Sequence, residues 1–389
     1  GILASDCHTS IDNITIANSS VCGGKYTGGV VGYGYTDVTN CTLINCVVKG
    51  GYKFGGVIGY ICASGNNERN VTGNTLTGCE VSFSGTYADG KTDYVIGKVV
   101  GNYNCNGTCS GNTVTKMTTG ASHIIGKIEA GKNVTIENNV LGASTSAELV
   151  AALKTAVAAG ETNIVFDAKG ANIGNFNKDD NTWFTTNLVP TGVTVTLRNA
   201  TVSGISRWNN ANGTLIFENC TFTNNSAYSI NFGWGNGHVK FTNCELYGWC
   251  SFSGVTVEMN DCNIAGNGSY ALVRSYNTFT MNNCTIDGSN AIKDDDYPDG
   301  VSIGDGAVLT MTGCTMTDAE YDYGESLIDG NRVVDYGENS SYIIVDGKRL
   351  VCNPSSLEYA LKNGNAILME NNITVEAHLT NTSHGTNIN

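Results

Sequence analysis

The sequence predicts an all-β chain wound as a right-handed parallel β-helix, a β-solenoid in two parts, and three observations predict it. A six-residue pattern (apolar, any, Asn/Asp/Gly, Cys, any, apolar) returns along the chain. Its third residue belongs to the few types that tolerate left-handed backbone angles. The 389 residues include 49 Gly, only 3 Pro, 41 % hydrophobic and 14 % charged side chains, which is too apolar for a disordered chain and too glycine-rich for a helical one.

The clearest copies lie in the second half. They read Phe217-Glu-Asn219-Cys220-Thr-Phe222, Phe241-Thr-Asn243-Cys244-Glu-Leu246, Met259-Asn-Asp261-Cys262-Asn-Ile264, Met281-Asn-Asn283-Cys284-Thr-Ile286 and Met311-Thr-Gly313-Cys314-Thr-Met316. Leu197-Arg-Asn199-Ala200-Thr-Val202 precedes them, with Ala in the cysteine slot. Before the cysteine, apolar residues alternate at period two, as in Val239 and Phe241, which is a strand with one face inside. From Phe241 to Cys244 the step is three, so the inward phase slips by one residue. A slip turns the face outward unless the backbone bends there. The strand is therefore expected to turn a corner at the Asn, Asp or Gly, with the cysteine as the first inward side chain beyond it. One corner per repeat, stacked repeats and turns of varying length describe a solenoid, and the crossover rule makes it right-handed.

The thiols then form an internal ladder, because free cysteine packs as a small apolar group. Rungs lie roughly 4.8 Å apart, but in-register side chains point in parallel and suit a disulfide torsion poorly. Buried, reduced thiols are expected. Cys105 and Cys109, in the stretch CNGTC, read as a loop and as the best place for one disulfide. Zinc is not expected: no CxxC pair occurs, and His8, His123, His238, His378 and His384 are scattered.

In the first half the same unit appears as Leu43-Ile-Asn45-Cys46-Val-Val48 and Leu76-Thr-Gly78-Cys79-Glu-Val81, with looser copies at Ile16–Val21, at Val114–Met117 and at Ile136-Glu-Asn138-Asn139-Val-Leu141. A second motif joins it: Gly28-Gly-Val-Val-Gly-Tyr33, Gly55-Gly-Val-Ile-Gly-Tyr60, Tyr94-Val-Ile-Gly97 and His123-Ile-Ile-Gly126. The Gly pairs allow tight turns, and Val-Val or Val-Ile makes a buried strand. Residues 11 to 141 resemble the GLUG-motif repeats of bacterial surface proteins. The second half resembles the pectate-lyase-like right-handed β-helices of gut-type bacterial surface proteins. The resemblances imply a secreted or cell-surface protein and carry no catalytic residue with them.

Two segments read as helices. Thr145 to Gly160 has a Thr145/Glu148 capping box, an apolar face through Leu149, Leu153 and Val157, and a terminal Gly. Ser355 to Gly364 repeats the formula with Ser355/Glu358. Such helices can lid an open end of a solenoid, where bare strand edges invite aggregation. Tyr342 to Val351 reads as a hairpin with an Asp-Gly turn. These marks give three parts: 1–143 as the GLUG-like solenoid, 144–341 as a β-helix with an N-terminal capping helix, and 342–389 as a closing cap or the start of a further module. Because GILASDC begins in mid-pattern, a processed or trimmed start is expected.

Charge and motifs narrow the function. A formal charge of −14 repels phosphate backbones and gives no polybasic patch for lipid, so nucleic acid is set aside. No run of about 18 apolar residues spans a bilayer. No P-loop, dinucleotide fingerprint, nucleophile elbow or HExxH occurs. Polysaccharide lyases and hydrolases on this scaffold use carboxylates, Arg or Lys and often calcium on one solvent face. The acidic stretch IKDDDYPDG offers Asp294, Asp295, Asp296 and Asp299 as calcium ligands and Lys293 or Arg274 as a base. The reading favoured for this run is a solvated acidic turn, since runs of like charge usually stay wet. Trp208, Trp234 and Trp249, with Tyr228, Tyr270 and Tyr276, precede the cysteine strands as sugar-stacking rings or as turn packing. The expected ligand-binding set is thus Trp208, Trp234, Trp249, Tyr276, Arg274, Asp294, Asp295 and Asp296, with no catalytic residue assigned and calcium as the one cofactor considered. The expected role is non-enzymatic: adhesion, or display of a glycan- or host-protein-binding face from a bacterial cell surface. A lyase or hydrolase, and a passive stalk, are the alternatives.

Overall fold

The computed structural model describes residues 1–85, 94–119, 121, 123–158, 160–223, 228–233, 235–292, 299–304, 307–322, 327–328, 331–332, 342–362, 367–369 and 372–375. It is an all-β parallel solenoid, as the repeat requires. The chain packs as two units, one of residues 1–169 with 193–196, the other of residues 170–192 with 197–389.

In the first unit the first three coils each place one short strand in each of five parallel sheets, and among the described residues the fourth and fifth coils contribute to four and three of them. The register is set by apolar residues stacked on their counterparts. Ile11, Val38, Val71, Cys109 and Ile136 form one column. Ile16, Leu43, Leu76, Val114 and Leu141 form the next. Val48, Phe54 and Val81 make the centre of a core cluster, with Val21, Ile96 and Met117 packed against it. The helix Ser146–Ala158 lies in sequence between Val140–Gly142 and Asn163–Asp167, two strands that pair in parallel. Thr145 Oγ1 accepts from Glu148 N at 3.2 Å, while Glu148 Oε2 accepts from Ser144 N at 2.9 Å, so the capping box closes one residue earlier than expected. Ala156, not Val157, joins Leu149 and Leu153 on the buried face.

The corner falls where the phase slip demanded it. In the second unit Asn199, Asn219, Asn243, Asp261, Asn283 and Gly313 have φ of 54, 52, 52, 54, 53 and 62°. The first unit turns two such corners per coil. One uses Asn18, Asn45, Gly78 and Lys116; the other uses Asn13, Asn40, Gly73, Gly111 and Asn138, all at positive φ. The copy at Ile136–Leu141 therefore belongs to the second column, with Val38-Thr-Asn40-Cys41-Thr-Leu43, and not with Cys46. Side chains at these corners also bond along the stack: Asn243 Nδ2 donates to Asn219 Oδ1 at 2.7 Å and Asn283 Nδ2 to Asp261 Oδ1 at 3.3 Å.

Behind the corners sit the inward residues. Cys220, Cys244, Cys262 and Cys284 are buried in successive coils, and Cys314, at the next rung, is half-buried. Each thiol reaches a backbone carbonyl, as Cys220 Sγ does with Leu197 O at 3.5 Å and Cys244 Sγ with Phe217 O at 3.4 Å. A thiol contact with Cys244, and then burial, raise Cys220 above the ordinary thiol range; contacts with Cys244 and Cys284, and then burial, do the same for Cys262. Cys105 and Cys109 depart from expectation. Asn106–Ser110 is a strand, not a loop, and Cys105 and Cys109 are both buried thiols outside any disulfide. Cys109 points into the column below Val71, where burial raises its pKa.

The slot behind the second corner holds Cys41 and then three asparagines, a ladder not anticipated from the cysteine pattern. Asn74 Nδ2 donates to Val38 O and to Asn112 Oδ1, both at 2.9 Å. Asn112 Nδ2 repeats this with Val71 O and Asn139 Oδ1, again at 2.9 Å. Asn139 Nδ2 ends the chain on Cys109 O at 2.9 Å. Each amide bridges one coil to the next, so burial costs little desolvation that is not recovered.

The second unit has three parallel faces. Thr214–Glu218, His238–Thr242, Thr256–Asn260, Phe279–Asn282 and Val308–Thr312 stack on one. Their inward rows begin Leu215, Val239, Val257, and Phe217, Phe241, Met259; Phe217 and Phe241 stack at 5.2 Å. After the corner, Thr221–Phe222, Glu245–Tyr247, Asn263–Ala265, Thr285–Asp287 and Thr315–Thr317 form the second. The third, Tyr228–Phe232, Trp249–Phe252, Leu272–Ser275, Gly300–Ile303 and Glu320–Asp322, carries the site described below. Tyr342–Val345 and Lys348–Val351 pair as the expected hairpin, with Asp346 and Gly347 at φ 47 and 74°. The helix that follows is Pro354–Lys362. Its cap is Asn353, whose Oδ1 accepts from Ser356 N at 2.8 Å, in place of Ser355.

Three outcomes test this architecture. Asn112→Ala breaks two rungs of the amide ladder and strands the Val71 carbonyl; urea denaturation should show a loss of about 2–4 kcal/mol, and a loss under ~0.5 kcal/mol would contradict the ladder. Lys116→Gly should raise stability by about 1 kcal/mol and Asn243→Val lower it by about 1–3 kcal/mol, since only the former relieves a left-handed side chain. Thiol-reactive dye should label the native protein fastest at Cys22, the one exposed cysteine, and Cys22→Ser should remove that fast phase; rapid labelling of Cys220, Cys244, Cys262 and Cys284 would refute their burial.

Candidate functional site

The third face of the second unit gathers the aromatic and charged residues that the sequence offered separately. Side chains alternate across a strand, and here the inward set is fixed: Ile230, Cys250, Val273 and Val301 stand in register and are fully or almost fully buried. Their neighbours Asn231, Ser251, Arg274, Ser302 and Asp322 therefore form one row on the outward side. Ser302 Oγ donates to Asp322 Oδ2 at 3.0 Å. Trp208 lies just before Asn209, which pairs with Phe232, and so stands at the head of this face.

Aromatic rings flank the row. Trp249 pairs with Tyr228 on the next strand, and their rings stack at 4.5 Å. Tyr270 meets Trp249 edge-on at 5.8 Å. On the other side, the Arg274 guanidinium lies 4.8 Å from the centroid of the Tyr276 ring, a contact worth about 0.5–2 kcal/mol according to its exposure. Gly304, one coil on, makes room: a Cβ there would collide with the Tyr276 ring. Arg274 is 8 % exposed, whereas Tyr276 and Trp208 are 38 % and 48 % exposed. Lys178 Nζ sits 4.6 Å from the Trp208 ring centroid. The face thus combines a sheltered cation, hydroxyls and a carboxylate in one row with half-open rings at its margins, chemistry suited to a hydroxyl-rich or acidic ligand.

Of the expected residues, Trp208, Trp249, Arg274 and Tyr276 come together on this sheet. Trp249 is buried at 4 % exposure, so it serves as a floor under Tyr228 and Tyr270 and not as an open platform. Trp234, Asp294, Asp295 and Asp296, with Lys293, lie outside the described residues. Asp299 is engaged elsewhere: buried, it accepts from Ala271 N at 2.8 Å and fixes the turn into the Arg274 strand. Among the described residues no three His, Cys, Asp or Glu side chains converge as a metal would need, and no helix is long and apolar enough to cross a membrane. Sequence reasoning missed Ser251, Ser302 and Asp322. Their signal was the fixed distance from each to its inward neighbour, which becomes readable once Cys250, Val273 and Val301 are aligned as one column.

Compared with models of known families, with curated proteins and with solved structures, the chain matches none.

Proposed function

We propose that this is a non-enzymatic, bacterial cell-surface protein that binds carbohydrate on the third face of its second unit, as an adhesive or display surface. The observation that supports this most is the convergence of Trp208, Trp249, Arg274 and Tyr276 around one in-register polar row. Aromatic faces stack on the C–H faces of sugar rings, while the guanidinium and the Ser302–Asp322 pair offer donors and acceptors to hydroxyls or a uronate carboxylate. The GLUG-like and β-helix resemblances favour the surface setting. A cation and a carboxylate on one row also suit cleavage of an acidic polysaccharide, and that reading takes second place because Arg274, the candidate base, is 8 % exposed and engaged with the Tyr276 ring.

A glycan array probed with the full chain should give saturable binding, and Tyr276→Ala should weaken the best hit about tenfold, near 1.4 kcal/mol. Tyr276 is half-exposed, so its truncation leaves the fold intact, as a thermal melt would verify. Binding unchanged in Tyr276→Ala and Trp208→Ala alike would remove this face from consideration. Steady release of unsaturated or reducing ends from polygalacturonate, abolished in Arg274→Ala, would replace the binding reading with the enzymatic one.

A further inference from the structure

The Gly-Gly-Val-Val-Gly-Tyr motif of the first unit has a column of its own. Tyr33 pairs with Tyr60, Tyr60 with Asn102, and Asn102 with Lys127. The third copy is thus Gly97-Lys-Val-Val-Gly-Asn102, one strand later than Tyr94–Gly97, which aligns instead with Tyr26–Gly28 and Lys53–Gly55. These two neighbouring sheets touch backbone to backbone, since a Cβ on Gly101 would meet the Phe54 main chain. Side chains of both crowd one corner. The Tyr33 and Tyr60 rings stack at 5.5 Å and Tyr26 lies 4.8 Å from Tyr60. Lys53, 8 % exposed, holds its ammonium 4.7 Å from the Tyr60 centroid and 3.1 Å from Glu129 Oε1.

Asn102 stands in this column with no solvent exposure, and neither Oδ1 nor Nδ2 has a partner. In another column of the same unit the buried Asn74, Asn112 and Asn139 are bonded rung to rung. A buried amide left unbonded is costly, and such a group, paired with Tyr60 at the next rung of the tyrosine column, is chemistry kept for a ligand. We propose that Tyr26, Tyr33, Tyr60 and Asn102 form a second binding site, for a neutral saccharide. Rings take the apolar faces of the sugar. The amide, donor and acceptor side by side, takes a vicinal hydroxyl pair or an acetamido group. Lys53 is already neutralised by Glu129, so the corner does not call for a charged ligand; the ammonium moves off the Tyr60 face as the sugar comes in.

The test is calorimetric titration of the full chain with four hexasaccharides, β-1,4-linked glucose, xylose, mannose and N-acetylglucosamine, and with a proline decapeptide. At least one saccharide should bind. Asn102→Leu should weaken it tenfold or more while leaving the melting temperature unchanged or raised, because the free protein loses no hydrogen bond. Tyr33→Ala should weaken it similarly, and Tyr276→Ala should leave it within twofold. Failure of all four saccharides, equal binding by wild type and Asn102→Leu, a fall in melting temperature in Asn102→Leu, or Asn102-dependent binding of the decapeptide alone would each overturn the proposal. A saccharide lost in Tyr276→Ala but kept in Asn102→Leu would overturn this site and leave the one on the second unit standing.

Discussion

In a parallel stack every side chain lies on the side chain one coil away, about 4.8 Å off, and that constraint governs the rest of the molecule. A residue must be compatible with a near-copy of itself above and below. Apolar residues meet the demand by packing, as Phe217 does on Phe241. Polar residues meet it only if they are both donor and acceptor along the axis. Asparagine is, which is why Asn74, Asn112 and Asn139 can run through the interior of the first unit. A free thiol is nearly so, and Cys41 shares one slot with Asn74 on the next coil.

The same constraint explains how much of the fold was legible. The slip from Phe241 to Cys244 announced a left-handed corner, and Asn243 has φ 52°. The inward position of Cys220, Cys244, Cys262 and Cys284 followed from that slip alone. The asparagine ladder did not, because swapping Cys41 for Asn74 erases the letter that marked the slot while keeping its geometry. Cys105 and Cys109 were misread for a related reason: Asn-Gly-Thr between two cysteines has turn composition, yet pairing with Glu68–Thr72 on the next coil holds it extended. Tertiary pairing overrides local preference in strands more readily than in helices.

Sites were less legible than rungs. The tryptophans read alike as sugar-stacking rings or as turn packing, because exposure depends on what the adjoining coil places beside each ring, and Tyr228 and Tyr270 flank the buried Trp249. Arg274 and Tyr276 were recognisable as candidates, yet only the register puts Ser302 and Asp322 beside them. Asn102 was invisible as a ligand-binding residue until the tyrosine column showed which slot it fills.

Turn length is the freest variable in this design. The chain goes from Val239 to its partner Val257 in a short circuit, and from Phe279 to Leu309 in a longer one, with equal pairing at both ends. Since only the corners and the stacked rows must match, a circuit can gain or lose whole excursions without disturbing the rung it leaves or the one it joins. Each unit behaves as a rack with interchangeable inserts, in which one circuit can lengthen or shorten independently of the next.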